Sequence, residues 1–266
     1  MSLAVRPVGE LLRVWRTRRR LSQLDLATEA EVSARHLSFV ESGRARPSRD
    51  MLLNLAERME VPLRDRNLLL LAGGFAPAFA ETAFDAPALA SARAAVDQVL
   101  AGHEPYPALA IDRGWTMLAA NRAVAPLIGT VAPELLRPPV NVLRLSLHPA
   151  GLAPRILNLG EWREHLLARL RRALDLTADP RLAALLREVA GYPAPPEAPR
   201  PRPLAATELA LPMRLATASG ELSLISTVTV FGTPLDVTLS ELALECFYPA
   251  DAASAALLRR LAEARA

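Results

Sequence analysis

The sequence predicts an α+β chain of two domains: an all-α N-terminal domain of five helices, then a domain in which an antiparallel sheet of about five strands packs against helices. Three observations carry this. Apolar residues recur at helical spacing from about Val8 to Ala72, with serines placed as helix starts. From Leu222 onward the spacing changes to alternation, the signature of half-buried strands. The chain has 266 residues, 51% of them hydrophobic, enough for two cores.

The first helix runs from about Val8 to Arg19, with Leu11, Leu12 and Trp15 inward. Ser22 is placed to accept from the free amides of a helix starting at Gln23, whose buried side is Leu24, Leu26, Ala27 and Ala30. Ser33 is a second N-cap. Its helix turns Leu37 and Val40 inward and Arg35, His36 and Phe39 to the other side. A fourth helix starts after Ser48 and uses Leu52, Leu55, Ala56 and Met59. The fifth covers about Leu63 to Ala72 and stops at Gly73-Gly74. Two short capped helices joined by a tight turn, the second presenting polar groups from its N-terminal half, form a helix-turn-helix suited to a DNA major groove.

The stretch from Leu21 to Pro47 resembles the Xre/Cro/phage-repressor family of DNA-binding domains, and the resemblance extends over roughly residues 8 to 76. It implies that Gln23 clamps a phosphate. It places Ser33, Ala34, Arg35 and Phe39 toward base edges or backbone, with His36 beside them. Glu41 and the run from Ser42 to Pro47 match the family's helix end and phosphate-contacting loop, which carries Arg44 and Arg46. The implied partner is a double-stranded DNA operator, bound by a homodimer. The family has glycine in the turn where this chain has Glu31, so a positive φ is expected there, at a cost on the order of 1 kcal/mol.

The charge distribution agrees. The net charge is +3, and all basic residues are arginine. Residues 1–76 hold 13 Arg against 9 acids, whereas residues 77–266 hold 18 Arg against 19 acids, so the positive excess lies with the helix-turn-helix. Arginine also fills the second half, alongside abundant alanine and proline, which reads as compositional bias. The single Cys246 excludes an internal disulfide and fits a reducing interior. Arg6 and Glu10 interrupt the first apolar stretch, which predicts no signal peptide. The apolar run from Leu68 to Ala80 is too short to span a bilayer. A soluble, cytoplasmic protein without membrane insertion is expected.

The predicted boundaries are 1–76 for the first domain, 77–90 for a connector with Pro77 and Pro87, and 91–266 for the second domain. Ala88 to Ala101 reads as a helix. Pro107 to Ala120 is a hairpin turning at Asp112-Arg113-Gly114. Helices dominate from Asn121 to Ala190, with Asn121 as an N-cap, and Gly191 to Pro203 holds six prolines in an extended loop. Strands follow: Leu222, Leu224, Ser226, Val228 and Val230 alternate with polar neighbours and Ile225. After Gly232-Thr233-Pro234, Leu235, Val237 and Leu239 alternate again. A last helix spans about Ala252 to Ala264. This layout is PAS-like, a fold often used to enclose a small molecule.

Residues 95 to 255 also resemble the ligand-binding domain of MmyB-like transcription regulators. The likeness is carried by Pro105 to Leu109, Ala119-Ala120-Asn121, Asn141 to Pro149, Trp162 with His165-Leu166, and Thr229 to Pro234. It implies a dimeric regulator whose PAS-like sensor holds an apolar, fatty-acid-like ligand.

Trp162, His165, Leu166 and Arg169 share one helix face. Such a face either lines a pocket whose arginine or histidine holds an acidic head, or is the core side of an amphipathic helix with a snorkelling arginine. Arg144 and His148 share another face and either meet an anion or bond to backbone. The chain lacks HExxH, CxxC, GxSxG and GxGxxG motifs, so no enzyme, metal site or cofactor is expected. One alternative stays open: a second domain that serves as a ligand-free dimerisation or protein-interaction module, which a filled apolar core would favour.

Overall fold

Serine caps open three of the first helices in the computed structural model, which describes residues 6–177, 179–193, 210–232 and 234–264. α1 is Val8–Arg18, α2 Gln23–Glu29, α3 Ala34–Glu41, α4 Arg49–Arg58 and α5 Leu63–Ala72. Ser22 and Asp25 form a reciprocal capping box, while Ser33 accepts from His36 N and Ser48 from Met51 N. Leu12, Leu26, Leu37, Leu55 and Leu70, all fully buried, form the core of this unit. Glu31 sits at φ 54°, the left-handed turn expected from the missing glycine. Leu24 is a correction. It is 66% exposed, because Leu26, Ala27 and Ala30 already fill the stripe that faces α3 and α4.

The chain divides into two compact units. One comprises Met1–Thr82 with Pro234–Ser240, the other Ala83–Thr233 with Glu241–Ala266. Asn67 fixes the residues that follow α5: its Nδ2 donates to Phe79 O at 2.7 Å and its Oδ1 accepts from Ala78 N and Phe79 N. Segment 234–240 belongs to the same unit. Thr82 N donates to Asp236 Oδ2 at 3.2 Å and Val237 N to Ala80 O at 2.7 Å. The expected strand through Leu235, Val237 and Leu239 is therefore a short helix, α11 (Val237–Ser240). Asp236 Oδ1 accepts from Thr238 N and Leu239 N, a helix start that overrides five residues of alternation. Only Val237 of the three faces inward, while Leu235 is 81% exposed.

The second unit begins with α6 (Ala90–Gly102) and the hairpin of β1 (Ala108–Ile111) and β2 (Met117–Ala120). Short helices α7 (Ala125–Ile128) and α8 (Val142–Leu147) lead to the long α9 (Leu159–Thr177) and α10 (Pro180–Ala190). β3 (Met213–Thr217), β4 (Gly220–Val230) and β5 (Ala243–Pro249) complete the sheet, and α12 (Ala252–Glu263) closes the unit under an Asp251 cap. The strand order is β2-β1-β5-β4-β3, antiparallel throughout, so the PAS-like five-stranded layout holds. Beyond Pro193 the proline-rich loop lies outside the described residues, as does Thr233 of the expected turn.

Asn121 is a second correction. It caps no helix, since α7 starts four residues later after Val124. Its side chain is buried, accepts from Ala108 N, and donates to Leu100 O and Tyr106 O. It ties the end of α6 to the start of β1.

Candidate functional site

On α3, Leu37 and Val40 turn into the core while Arg35 and His36 stand exposed. The Arg35 guanidinium lies over the Phe39 ring at 5.4 Å, which restrains the arginine before any partner arrives. Ser33 caps the helix beside them, and Ala34 is half-buried. The end of α3 turns through Gly43 at φ 74°. Arg44 N and Ala45 N both donate to Phe39 O, and this turn presents Arg44 and Arg46 to solvent. Arg49, at the start of α4, is exposed too.

The contacts that hold this surface together are not legible in the sequence. Glu41 is buried at the end of α3. Its oxygens accept from Arg16 Nε at 2.7 Å and Arg16 Nη2 at 2.9 Å, and Oε2 also accepts from Gln23 Nε2 at 2.8 Å. Gln23, read as a phosphate clamp, is thus oriented by Glu41 and spends one amide proton on it. Burial pulls the Glu41 carboxyl upward, but the hydrogen bonds from Arg16 and Gln23 outweigh it and hold the group below its usual range. Gly9 lets α1 approach this helix end: a Cβ there would stand 2.3 Å from Val40 O.

These positions separate into two kinds. Arg35 is exposed in the first turn of α3, from which it would meet base edges if α3 entered a major groove, and an arginine bidentate to guanine is worth about 1–3 kcal/mol. Arg44 and Arg46 follow the helix end, where they would meet phosphates. Arg35→Ala is expected to weaken binding to a preferred sequence while sparing binding to random DNA. Arg44→Ala and Arg46→Ala are expected to weaken both and to lower the salt slope by roughly one unit each. Fluorescence titrations on both DNAs across salt check this. Equal losses for Arg35→Ala on the two DNAs would move it to the backbone.

The second candidate lies in the core of the sheet-bearing unit, a cavity of about 70 Å³. Trp115 enters from the hairpin, Leu127 from α7, Leu143 and Ser146 from α8, Trp162 and Leu166 from α9, and Leu215, Leu224, Glu245 and Phe247 from the sheet. Trp115 has φ 63°, a left-handed backbone that an aromatic residue rarely adopts, costing about 1–2 kcal/mol. Asp112 holds it there, with Asp112 O accepting from Trp115 N and Asp112 Oδ1 from Thr116 N. Such strain clusters at working sites. A larger groove of about 410 Å³, between Pro105, Pro126 and α12, is rimmed by the exposed Glu104–Arg122 pair. Only Leu258 of its lining is buried, and charged Glu104, Arg122 and Glu263 stand around it, so the smaller, core-lined cavity is the better candidate.

The four residues expected on one face of α9 do lie together. Trp162 and Leu166 are buried and line the cavity, and Trp162 Nε1 donates to Ser146 Oγ at 3.0 Å. His165 stacks on Trp162, with centroids 5.3 Å apart. Burial, then the charges of Arg169 and Arg172, push its pKa down, so it is neutral near pH 7. Arg169 stands over the Trp115 ring at 4.7 Å and pairs with Glu245 at 2.6 Å. Glu245 lies 76 residues away in sequence, and nothing local links it to Arg169.

Arg144 and His148 are engaged elsewhere. Arg144 makes a two-pronged bond to Glu188, with both contacts at 2.8 Å, and His148 packs edge-on against Tyr192. Tyr192 donates to Glu188 as well, and burial with that bond pushes its hydroxyl up to about 12. Neither Arg144 nor His148 lines the cavity, since α8 turns Leu143, Leu145, Ser146 and Leu147 inward instead.

Cys246 is buried on β5, and burial followed by the nearby Glu245 raises its thiol pKa, which favours packing over reactivity. Among the described residues no cluster of His, Cys, Asp and Glu is arranged to hold a metal. No described helix is long and apolar enough to cross a membrane.

A family model described as the MmyB-like transcription regulator ligand binding domain matches residues 92–261, and a helix-turn-helix domain model matches residues 7–69. No curated protein is matched by the sequence.

Proposed function

Because this chain belongs to the MmyB-like transcription regulators, with a helix-turn-helix DNA-binding domain ahead of a ligand-binding domain, we propose that it reads a DNA operator as a cytoplasmic homodimer and responds to an apolar, fatty-chain ligand. The observation that carries the sensing part is the core cavity, whose lining is apolar apart from Ser146 and Glu245. Two copies are called for because one helix-turn-helix reads only a few base pairs. Half-sites about 34–36 Å apart then match one turn of DNA.

At about 70 Å³ the cavity is smaller than the roughly 150 Å³ void known to hold benzene. A chain of any length enters only if the walls part. Met213 is a flexible part of the lining, and α7 and α8 are short. Parting them separates apolar side chains from one another, and each methylene buried returns about 0.8 kcal/mol. The strands that carry Leu224, Glu245 and Phe247 are joined by segment 234–240, which belongs to the helical unit. We infer that movement of β4 and β5 reaches the DNA-binding unit through this covalent link. Regulation then needs only a ligand that favours one state over another.

A thermal-shift series of straight-chain compounds of increasing length tests this reading. Stabilisation is expected to rise with length until the opened cavity is full, then fall, and Trp162→Ala is expected to change the optimum. No stabilisation at any length would leave the domain as a dimerisation or protein-interaction module.

A further inference from the structure

We propose that the free edge of β4, residues 225–230, pairs antiparallel with the same edge of a second copy, joining two five-stranded sheets into one. This rests on the homodimer of the reading above and names the surface that forms it.

Among the described residues, the two end strands of the sheet are covered or short. β3 pairs with β4 on one side. On its other side Ile156 bridges Leu215, Leu157 N donates to Arg214 O at 2.7 Å, and Asn158 Oδ1 accepts from Arg214 N at 3.0 Å. Arg155 Nε adds a bond to Ala216 O at 3.1 Å. β2 is four residues long, and the N–H of its first residue, Met117, donates to Val140 O at 2.8 Å. Such measures keep strand edges from pairing with other chains.

β4 is the exception. Its pairing with β3 stops at Leu224 opposite Met213, while its pairing with β5 continues to Val230. Before Met213 the chain turns away, since Pro212 has no N–H and its O accepts from Asn158 Nδ2 at 2.9 Å. Among the described residues, no strand or bridge pairs with 225–230 on the side away from β5.

The stretch also lacks the residues that protect an open edge. From Leu222 to Phe231 there is no charge, no proline and no glycine. Val228 is 48% exposed and Val230 65%, and both alternate in step with the buried Leu222 and Leu224. A foreign extended peptide is recognised through pockets for its alternate side chains. Neither cavity described above is lined by a residue from 225 to 231. The edge suits itself instead. About a twofold axis through Val228, that valine meets its own copy and Thr227 meets Thr229 of the partner subunit. Both are favourable cross-strand pairs, and a symmetric contact of this kind closes at two copies.

Analytical ultracentrifugation of the full-length protein tests the pairing. Val228→Lys sets like charges opposite each other across the axis, and the dimer dissociation constant is expected to rise at least about tenfold. Val228→Thr keeps an uncharged, β-branched residue and is expected to stay within about threefold of wild type. If the lysine variant does not fold, residue-resolved hydrogen exchange of the wild-type dimer decides. A paired edge is expected to slow every amide from 225 to 230, whereas a free edge leaves alternate amides fast. Unchanged dimerisation of a folded Val228→Lys protein, or fast alternate amides in the wild-type dimer, would overturn the edge assignment while leaving the homodimer standing. A wild type that is monomeric both alone and on DNA selected from a random pool would overturn both.

Discussion

Replacing Glu41 by alanine is expected to cost the helix-turn-helix unit about 3–5 kcal/mol, and DNA binding with it. The size follows from what is left behind. Arg16 is largely buried, its side chain 12% exposed, and it directs Nε and Nη2 at the Glu41 carboxylate while Nη1 holds Leu21 O. Without Glu41 that guanidinium stays in the protein with no counter-charge, and Gln23 loses its anchor. Glu41→Gln, which keeps an acceptor, should cost less. Urea unfolding followed by circular dichroism measures both. A loss under about 1 kcal/mol for the alanine variant would show that the pair behaves as a surface ion pair.

Acid should have a related effect. The folded-state pKa of Glu41 lies below its ordinary value, so its stabilisation is complete above the usual carboxylate range, near pH 4.3. It is lost as pH falls through the lower folded value. Wild-type thermal stability should therefore drop in that acid window, and the Glu41→Ala protein should drop less.

The second large effect is expected at Asn121, where alanine should destabilise the sheet-bearing unit by about 3 kcal/mol or more. Three backbone groups lose their partner at once: Ala108 N, Leu100 O and Tyr106 O. Each buried polar group left unpaired costs about 1–3 kcal/mol. Because β1 starts at Ala108 and leads into the Trp115 turn, the variant should also lose chain-ligand binding. Asn121→Asp keeps the acceptor for Ala108 N but sets a carboxylate oxygen against Leu100 O and Tyr106 O, so it should be no milder than alanine at neutral pH. A thermal shift for Asn121→Ala within a degree or so of wild type would mean that water replaces the side chain freely.

Legibility in the sequence followed the range of the interaction. Ser22, Ser33 and Ser48 cap their helices through bonds spanning three residues, so they could be read directly. The left-handed Glu31 was equally local, because a turn of fixed length demands it. The strand pattern of β4 was plain over the nine residues from Leu222 to Val230, whereas five residues from Leu235 to Leu239 were too few to outweigh an Asp236 helix start. Arg16 with Glu41, Asn121 with Leu100, and Arg169 with Glu245 join residues 25, 21 and 76 apart. Such pairs carry no periodicity, and only the fold brings them together. Asn121 illustrates the limit well. Its composition-level role as a cap was reasonable, yet the same amide serves three backbone groups around β1.

Under the function proposed above, ligand binding in the cavity and DNA binding by the helical unit are coupled. The most direct test of that coupling is the affinity of the full-length protein for DNA selected from a random pool, measured with and without saturating dodecanol, one of the straight-chain compounds above, together with the affinity for dodecanol with and without that DNA. Both affinities are expected to change by one shared factor, in the range of about 5- to 150-fold, since coupling between two sites is reciprocal. Dodecanol that binds and stabilises the protein yet leaves its DNA affinity unchanged would show that the two sites are independent.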